Sequence, residues 1–588
     1  MSGGVFRRCG ITASLLVACF NVQAMAANMS DDLAPEAATG FQQKSLVKAS
    51  KHMVVAANPL AVQAGDEVLK RGGSAADAAI AVQLVLNLVE PQSSGIGGGA
   101  FTLYFDAQKN RLITLDGRET APAKATPTLF LDSNGKPLQF YDAVVGGRSV
   151  GTPGTVKLLE EMHQRYGKRP WSELFQPAIK LAEKGFIVSP RLASLIAKDQ
   201  KRLSRYPGTR QYFFDKEGQP LQSGTVLKNP EFARTLRLIA SKGSKAFYKG
   251  ELAERIVRTV REARGNPGAL SKKDLKNYQV KERAPVCSAY RQYSVCGMGP
   301  PSSGATTVGQ ILGILQSYDL ASLGSDNPES WRLFAGASRL AFADRARYLA
   351  DSDYVPVPVQ GLLNSQYLAD RAKQLQSDQA LKTVKAGKPT WQHASLRADD
   401  QSIELPSTSH ISIVDAEGNA LSMTTTIENG FGSRLMVGGF LLNNEMTDFS
   451  FASHEGGTPI ANRVEPGKRP RSSMAPTIVM DKKGQPYMVI GSPGGSRIIS
   501  YVAKTLIAHI DWGMDIQKAI ALPHKLNPSG VYELEQDTEA ERLKPALEKL
   551  GYSIKVRELN SGLHGIVITE KGLEGGADPR REGVAMGI

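Results

Sequence analysis

The apolar pattern of this chain changes near residue 408, and that change limits the folds that the chain can adopt. Between Gly154 and Ala350 apolar residues recur mostly at helical spacing, whereas the runs after residue 408 are short and strand-like. An earlier segment, Ala75–Val89, is apolar nearly all round, which predicts a buried helix. Because helices and strands bury their apolar faces against each other, the pattern predicts a layered α/β fold.

Composition excludes several classes of protein. The chain has 588 residues, of which 41% are hydrophobic and 22% charged, which excludes a wholly disordered chain and a polytopic membrane protein. Its formal net charge is +14, but the 71 Lys and Arg are spread without a basic run, so nucleic-acid binding is not favoured. The eight His show no metal-ligand spacing. We therefore expect no metal, no cofactor and no nucleic-acid partner.

The N-terminus has the pattern of a secretory signal. Arg7 and Arg8 precede the apolar residues 11–20, and Ala24-Met25-Ala26 follows as a small-x-small cleavage site. The apolar stretch is too short for a transmembrane helix, so residues 1–26 are predicted to be a signal peptide and the mature chain to have no membrane span. Leu16-Val-Ala-Cys19 also resembles a lipobox, and lipidation of Cys19 is the alternative. Either route predicts a periplasmic or secreted protein.

Cleavage after residue 26 leaves two cysteines, Cys287 and Cys296. They lie in two short strand-like runs around Arg291-Gln292. A two-residue turn there places the two cysteines opposite each other, where a disulfide is feasible in an oxidising compartment. Arg-Gln is not a favoured turn pair, however, and two reduced thiols remain the alternative.

Residues 376–406 are polar and lack periodicity, which predicts an exposed linker. The strands His410–Val414 and Ala420–Thr426 are expected next, around a five-residue loop. In that hairpin Val414 faces Ala420, so Thr408 faces Thr426. Two hydroxyl groups on one face fit a hydrogen-bond network, but the hairpin by itself favours a plain Thr–Thr cross-strand pair.

Two glycine-rich segments stand out. Gly95-Ile-Gly-Gly-Gly-Ala100 matches a dinucleotide fingerprint, but a helix precedes it and a strand follows, the reverse of the required order. Tight backbone packing is expected there instead. Gly491-Ser-Pro-Gly-Gly-Ser-Arg497 follows a strand and opens a helix, so its backbone N–H groups fit an oxyanion hole or a plain turn.

A set of motifs in fixed order carries a family resemblance. The motifs are Gly73-Ser-Ala-Ala-Asp-Ala-Ala79, Gly117-Arg-Glu-Thr-Ala-Pro-Ala-Lys124, Gly151-Thr-Pro-Gly154, Pro300-Pro-Ser-Ser303, Thr408-Ser-His410, Leu442-Asn-Asn-Glu-Met-Thr-Asp-Phe449, Lys468-Arg-Pro-Arg-Ser-Ser-Met474 and Gly491–Arg497. With them the chain resembles the γ-glutamyltransferases (γ-glutamyltranspeptidases), members of the N-terminal nucleophile hydrolase superfamily.

The resemblance implies a four-layer αββα sandwich made from one precursor. The precursor would cut itself between Ser407 and Thr408, giving a large subunit, 27–407, and a small catalytic subunit, 408–588, interlocked in one folded unit. The enzyme would take a γ-glutamyl group from glutathione or another γ-glutamyl amide and pass it to water or to an amino acid or peptide.

The resemblance also implies roles for single residues. Thr408 would be the nucleophile, with its free α-amine as base, and Thr426 would support it. Gly494 and Gly495 would stabilise the oxyanion through their N–H groups. The donor's carboxylate would be held by Arg118, Ser472 and Ser473. Its ammonium would be held by Asp448, with Glu428 and Glu445 at positions where members vary between acids and amides.

Two departures and two alternatives remain. The segment Ala452–Gly467 is short and contains no aromatic residue, which argues against a substrate-covering lid and for larger substrates. Arg471 stands where several members have Leu. The first alternative is a related acylase that acts on glutaryl or cephalosporin side chains through Thr408. The second is a non-catalytic periplasmic binding protein, which would stay uncut.

Overall fold

The computed structural model describes residues 40–393, 395–402, 404–405 and 407–588. The predicted signal peptide 1–26, including Cys9 and Cys19, lies outside the described residues. Within these ranges no helix combines the length and apolarity that crossing a lipid bilayer requires.

Two seven-stranded antiparallel sheets pack face to face at the centre of the molecule. In spatial order, the first sheet consists of Val584–Gly587, Met53–Ala56, Ser409–Val414, Ala420–Thr426, Gly99–Asp106, Arg111–Gly117 and Lys281–Arg283. The second consists of Val47–Ala49, Gly572–Ala577, His564–Thr569, Pro486–Gly491, Thr477–Met480, Tyr293–Gly297 and Val286–Tyr290.

Helices cover the outer face of each sheet. Pro59–Lys70, Ala75–Val89 and Thr155–Tyr166 pack on the first sheet, and Gly304–Leu315, Ile498–Ile510 and Ile516–Ala521 on the second. The predicted four-layer αββα sandwich is therefore confirmed. The other α-helices of the described residues are Phe140–Val144, Gln176–Lys184, Pro190–Lys198, Gln200–Leu203, Pro207–Phe213, Pro230–Lys242, Lys245–Tyr248, Glu251–Arg261, Lys272–Asn277, Leu320–Leu323, Pro328–Tyr348, Val359–Leu362, Ser365–Ala372 and Lys544–Lys549.

Smaller elements complete the described chain. A three-stranded sheet contains Lys525–Leu526, Val531–Glu535 and Ser553–Arg557, and three two-stranded pairs join Phe186–Ile187 with Val226–Leu227, Met436–Val437 with Phe440–Leu441, and His454–Glu455 with Thr458–Pro459. Single turns of 3₁₀-helix span Gly147–Ser149, Trp171–Phe175, Lys373–Leu375, Glu445–Asp448, Gly495–Arg497 and Glu539–Leu543.

The helix Ala75–Val89 shows how the local sequence sets its element. The Ser74 hydroxyl accepts the N–H of Asp77, and the Asp77 carboxylate accepts the N–H of Ser74, so a capping box starts the helix. Every residue of the helix is buried. The predicted buried helix and its capping box are therefore confirmed.

Both predicted hairpin registers are confirmed. Val414 pairs with Ala420 and Ser409 with Thr425, which leaves Thr408 opposite Thr426 at the open end of the hairpin. Cys287 pairs with Cys296, and the two form a disulfide. The alternative of two reduced thiols is not what the structure contains.

The predicted exposed linker is only partly correct. No described residue between 376 and 407 belongs to a helix or a strand, as expected. The end of the segment is nevertheless buried: Glu404 and Leu405 are each 8% exposed, and Ser407 is fully buried. The end of this polar segment is buried because the Glu404 carboxylate pairs with the buried cations Arg345 and Arg471, and a paired charge can leave the solvent.

Candidate active site

The hydroxyl groups of Thr408 and Thr426 meet at the carbonyl oxygen of Ser407. That oxygen lies 2.5 Å from Oγ1 of Thr408 and 2.7 Å from Oγ1 of Thr426, and the two hydroxyl oxygens are 3.2 Å apart. The Ser407 hydroxyl donates to the carbonyl of Gln92 at 2.6 Å. The two threonine hydroxyl groups and the Ser407 hydroxyl therefore fix the peptide bond before Thr408 in place.

The glycine-rich loop before the strand Gly99–Asp106 sets the position of Thr426. A Cβ atom on Gly98 would lie 2.0 Å from the carbonyl oxygen of Thr426, and one on Gly97 would lie 2.0 Å from that of Leu441. No larger residue fits at either position. The predicted role of this loop, tight backbone packing, is confirmed.

Arg118 follows the strand Arg111–Gly117 and forms a buried ion-pair cluster. Its guanidinium lies 2.6 Å from Oδ2 of Asp448 and also contacts Glu445. The same guanidinium donates to the carbonyl groups of Pro470, at 3.1 Å, and Arg471, at 2.8 Å. Arg118 thus joins the segment containing Asp448 to the segment that precedes Ser472.

Two asparagines fix the 3₁₀ turn Glu445–Asp448. The Asn443 side chain accepts the N–H of Gly151 at 2.9 Å and donates to the carbonyl of Gly97 at 2.8 Å. The Asn444 side chain accepts the N–H of Asn429 and contacts the carboxylate of Glu428. Glu428 has a φ of 77°, which is strained for a residue with a side chain, and its N–H donates to Oγ1 of Thr426 at 2.9 Å.

Burial controls the charge of this acidic group. Desolvation raises the pKa of Asp448, Glu445 and Glu428 above the usual range, and their mutual repulsion adds to the effect for Asp448 and Glu428. Desolvation lowers the pKa of Arg118, but attraction to Glu445 and Asp448 outweighs it and raises the pKa overall. The site is therefore suited to an additional cation, which would relieve the repulsion between the acids.

Ser472 is held by the Pro300–Ser303 motif, and Ser473 by Arg345 and Glu404. Both the N–H and the hydroxyl of Ser303 donate to the carbonyl of Ser472 at 2.7 Å. The hydroxyl of Ser473 accepts from Nη2 of Arg345 at 2.6 Å and contacts the carboxylate of Glu404. Ser473 therefore already binds a carboxylate, which the uncut chain itself supplies.

Gly494 and Gly495 have backbone conformations that disfavour other residues. Their φ angles are 138° and 59°, and a Cβ on Gly494 would lie 2.6 Å from the ring of Tyr501. Neither N–H group donates to an acceptor among the described residues. Two backbone donors next to Leu405 are thus available for an oxyanion.

The predicted residues converge on one small cavity. It is lined by Thr408, Thr426, Arg118, Glu428, Glu445, Asp448, Ser472, Ser473 and Gly495, together with Glu404, Leu405, Met474 and Ile498. Gly494 adjoins Gly495 in the same loop, whereas Cys287 lies in the edge strand Val286–Tyr290 of the second sheet and Cys296 in the strand next to it. The free space is about 20 Å³, room for about one water molecule.

Sequence reasoning missed three residues of this site. Arg345 and Glu404 contact Ser473, and Nη1 of Arg581 donates to the carbonyl of Thr408 at 3.3 Å. The acid in the polar segment just before Thr408 was the one available signal for Glu404. Nothing in the sequence around Arg345 or Arg581 indicated which segment each would reach.

The segment 452–467 forms a short hairpin, His454–Glu455 with Thr458–Pro459. It borders a second cavity of about 350 Å³, whose lining includes Phe140, Phe451 and Ile460. Among the described residues no group of His, Cys, Asp and Glu side chains is arranged to hold a metal ion.

Comparison with known proteins adds a family match. The family model described as Gamma-glutamyltranspeptidase matches residues 61–588. The chain is 40% identical over 548 residues to a glutathione hydrolase proenzyme of Bacillus subtilis (strain 168), covering 91% of each protein. It is 36% identical over 592 residues to a glutathione hydrolase proenzyme of Escherichia coli (strain K12), covering 98% of this chain and 97% of that protein. Among solved structures, a cephalosporin acylase from Bacillus halodurans superposes with a TM-score of 0.81 at 27% identity, covering 94% of this chain and 99% of that one.

Proposed function

Because the chain belongs to the γ-glutamyltranspeptidase family, we propose that it is a proenzyme that cuts itself before Thr408 and then transfers or hydrolyses γ-glutamyl groups. The chain is an enzyme of the γ-glutamyl transferase and hydrolase type. Glutathione is the proposed donor, because relatives that match more than nine tenths of the chain are named glutathione hydrolase proenzymes. Water and amino acids or peptides are the proposed acceptors.

The convergence of two hydroxyl groups on the Ser407 carbonyl carries this proposal. In the proposed self-cut, the Thr408 oxygen attacks the Ser407 carbonyl carbon while the Thr426 hydroxyl polarises the carbonyl oxygen. The bond from the Ser407 carbonyl carbon to the Thr408 nitrogen breaks, and that nitrogen takes up the proton that the Thr408 hydroxyl has lost. Water then hydrolyses the ester, leaving a carboxylate on Ser407 and a free α-amine on Thr408.

The same groups serve the proposed catalytic cycle. An α-amine has an ordinary pKa of about 7.7–8.0, so near neutral pH it accepts the Thr408 hydroxyl proton directly or through water. The oxygen attacks the donor's γ-carbonyl carbon, and the N–H groups of Gly494 and Gly495 stabilise the oxyanion. The leaving amine takes the proton from the α-ammonium, and a γ-glutamyl ester remains on Thr408 until water or an acceptor amine releases it.

Recognition of the donor follows from its two opposite charges. Arg118, Ser472 and Ser473 are proposed to bind the α-carboxylate, since guanidinium and hydroxyl groups donate to carboxylates. Asp448, Glu428 and Glu445 are proposed to bind the α-ammonium, whose charge relieves their mutual repulsion. A glutaryl group lacks that ammonium, so the acids favour a γ-glutamyl donor over the acylase alternative.

One experiment tests the self-cut and the activity together. The purified protein and a Thr408→Ala variant are compared by denaturing gel, intact mass and cleavage of γ-glutamyl-4-nitroanilide. We expect fragments ending at Ser407 and beginning at Thr408, with activity, and neither in the variant. A single uncut and inactive chain would contradict the proposal and favour the alternative of a non-catalytic binding protein.

A second variant separates the γ-glutamyl enzyme from the acylase. In Asp448→Ala, kcat/KM for γ-glutamyl-4-nitroanilide is expected to fall about 10- to 100-fold, because an ammonium loses a charged hydrogen-bond partner. The kcat/KM for glutaryl-4-nitroanilide is expected to change little. A wild-type enzyme that prefers the glutaryl donor would favour the acylase.

We also propose export through the N-terminal segment. Arg7, Arg8 and the apolar residues 11–20 support it, and cleavage after Ala26 is proposed over lipidation of Cys19. Intact mass of the large subunit distinguishes a free N-terminus at Ala27 from a lipidated one at Cys19.

A further inference from the structure

Two buried guanidinium groups, those of Arg345 and Arg471, lie beside the catalytic pocket. The Arg345 guanidinium contacts the Glu404 carboxylate and donates to the hydroxyl groups of Ser303, at 2.8 Å, and Ser473, at 2.6 Å. Nη2 of Arg471 lies 3.0 Å from Asp400 and 3.4 Å from Glu404. Both carboxylates that face these cations therefore come from the segment that precedes the proposed cut.

These two carboxylates differ in their other contacts. Asp400 also accepts from the Asn462 side chain at 2.9 Å, and its N–H donates to the carbonyl of Ala346 at 3.0 Å. Glu404 lies only three residues before Ser407, and its carboxylate contacts Arg345, Arg471 and the Ser473 hydroxyl. If Glu404 withdraws, two buried cations face Asp400 alone, and an uncompensated buried charge favours the entry of another anion. The Nε atom of Arg471 already has no hydrogen-bond partner among the described residues.

The pocket is too full for a donor while Glu404 and Leu405 remain in it. The free space of about 20 Å³ holds about one water molecule, which is less than a γ-glutamyl group needs. A Cβ on Gly495 would lie 2.8 Å from the carbonyl carbon of Leu405, so this segment also lies against the proposed oxyanion donors. Withdrawal of Glu404 and Leu405 is therefore a condition for substrate entry.

The position of Glu404 indicates which ligand group replaces its carboxylate. Glu404 lies on the acyl side of the Ser407–Thr408 bond, and the donor's γ-glutamyl group takes that side when it is attached to the Thr408 oxygen. We propose that Arg345 and Arg471, with the Ser473 hydroxyl, form an anion subsite that Glu404 fills before the cut and the carboxylate of the donor's acyl group fills afterwards. The subsite adds two cations to Arg118, which is engaged by Glu445 and Asp448. This inference rests on the proposed function of Thr408 as the residue that carries the acyl group.

Three donors that differ in one charge each test the subsite. They are γ-glutamyl-4-nitroanilide, glutaryl-4-nitroanilide, which lacks the ammonium, and 4-aminobutyryl-4-nitroanilide, which lacks the carboxylate. In mature Arg345→Met, kcat/KM is expected to fall about 10- to 100-fold for the first two, since each loses a charge-assisted hydrogen bond. For the third donor we expect a change of less than about threefold, because the lost interaction involves the absent carboxylate.

Further variants keep the test decisive if Arg345→Met does not fold or cut. Arg345→Lys retains the charge and is expected to keep part of the preference for carboxylate-bearing donors. Arg471→Leu is expected to lose less than Arg345→Met, because its contact with Glu404 is longer. The matched control is Arg371→Met, which removes a buried guanidinium paired with Asp344, and it should leave the ratios between donors unchanged.

Binding of free glutarate gives a readout that needs no activity. It is expected to raise the Tm of the mature wild-type enzyme but not that of Arg345→Met. Equal losses on all three donors, or the same glutarate shift in both proteins, would overturn the subsite. A mature wild-type enzyme that cleaves no anilide would instead refute the proposed function, so the two failures are distinguishable.

Discussion

At the scale of single residues, neighbouring side chains on one strand have different surroundings. The Thr426 hydroxyl lies 2.7 Å from the Ser407 carbonyl oxygen. The hydroxyl of the adjacent Thr425 is buried and has no partner among the described residues. Successive side chains of a strand point to opposite faces, so the two threonines contact different layers of the sandwich. They form a natural pair of test and control.

We expect Thr426→Val to slow both the self-cut and the turnover of γ-glutamyl-4-nitroanilide. The substitution keeps the shape but removes a hydroxyl worth about 1–3 kcal/mol, or roughly 5- to 150-fold in rate. Thr425→Val loses no hydrogen bond and should leave both rates unchanged. The rate of the self-cut is measured by gel densitometry, and the rate of turnover by the absorbance of the released 4-nitroaniline. Equal effects in the two variants would mean that both rates depend on the strand as a whole and not on the Thr426 hydroxyl.

At the scale of elements, the segment that precedes Thr408 is held by charge rather than by secondary structure. Burial raises the pKa of Glu404, but attraction to Arg345 and then Arg471 outweighs it and lowers the pKa to about 2. The unfolded chain has the ordinary value, 4.5. A carboxyl with a lower pKa in the folded state stabilises that state above the unfolded pKa. This contribution is lost as the pH falls from about 4.5 towards about 2.

We expect Glu404→Gln, in the uncut Thr408→Ala background, to lower the free energy of unfolding at pH 7. The shift corresponds to a loss on the order of 3 kcal/mol. The difference from the Thr408→Ala parent should shrink as the pH falls below about 4.5, because Glu404 of the unfolded parent then takes up a proton while the folded parent keeps its carboxylate charged until about pH 2. Urea unfolding at pH values from 3 to 7 measures this difference in the free energy of unfolding. The control is Glu417→Gln, because Glu417 lies on an exposed loop. A difference independent of pH would contradict the ion-pair account.

At the scale of the whole molecule, each central sheet takes strands from both sides of residue 408. In the first sheet, Ser409–Val414 pairs with Met53–Ala56, and Ala420–Thr426 pairs with Gly99–Asp106. In the second, Thr477–Met480 pairs with Tyr293–Gly297. Breaking one peptide bond therefore leaves the hydrogen-bonded ladders and the buried faces intact.

We accordingly expect the two chains of the cut protein to stay together in native buffer and to separate only when the fold is lost. Native mass measurement should give one species with the summed mass, and a denaturing gel should give two bands. Dilution of the cut protein is the control for weak association. Separation of the chains under native conditions would contradict the interlocked arrangement.

Local patterns determined the features that depend on neighbouring residues. The capping box of Ser74 and Asp77, the register that places Thr408 opposite Thr426, and the pairing of Cys287 with Cys296 each follow from a few adjacent positions. Helical and strand periodicity also predicted the layered fold, because one apolar face of each element must be buried. The motifs with their family resemblance predicted many of the residues that line the pocket, but not Glu404, Leu405, Met474 or Ile498.

Only the tertiary structure decided which charges meet. Arg118 reaches Glu445 and Asp448 across more than 300 residues of sequence, and Arg345 reaches Glu404 from the helix Pro328–Tyr348. The sequence alone predicts that the polar segment before Thr408 is exposed. Its burial depends on cations that distant parts of the chain supply, and the sequence does not show which cations these are. The sequence by itself thus determined the main elements, the two hairpin registers and a set of candidate site residues, whereas the fold decided the partner of each buried charge and the presence of Glu404 and Leu405 in the pocket.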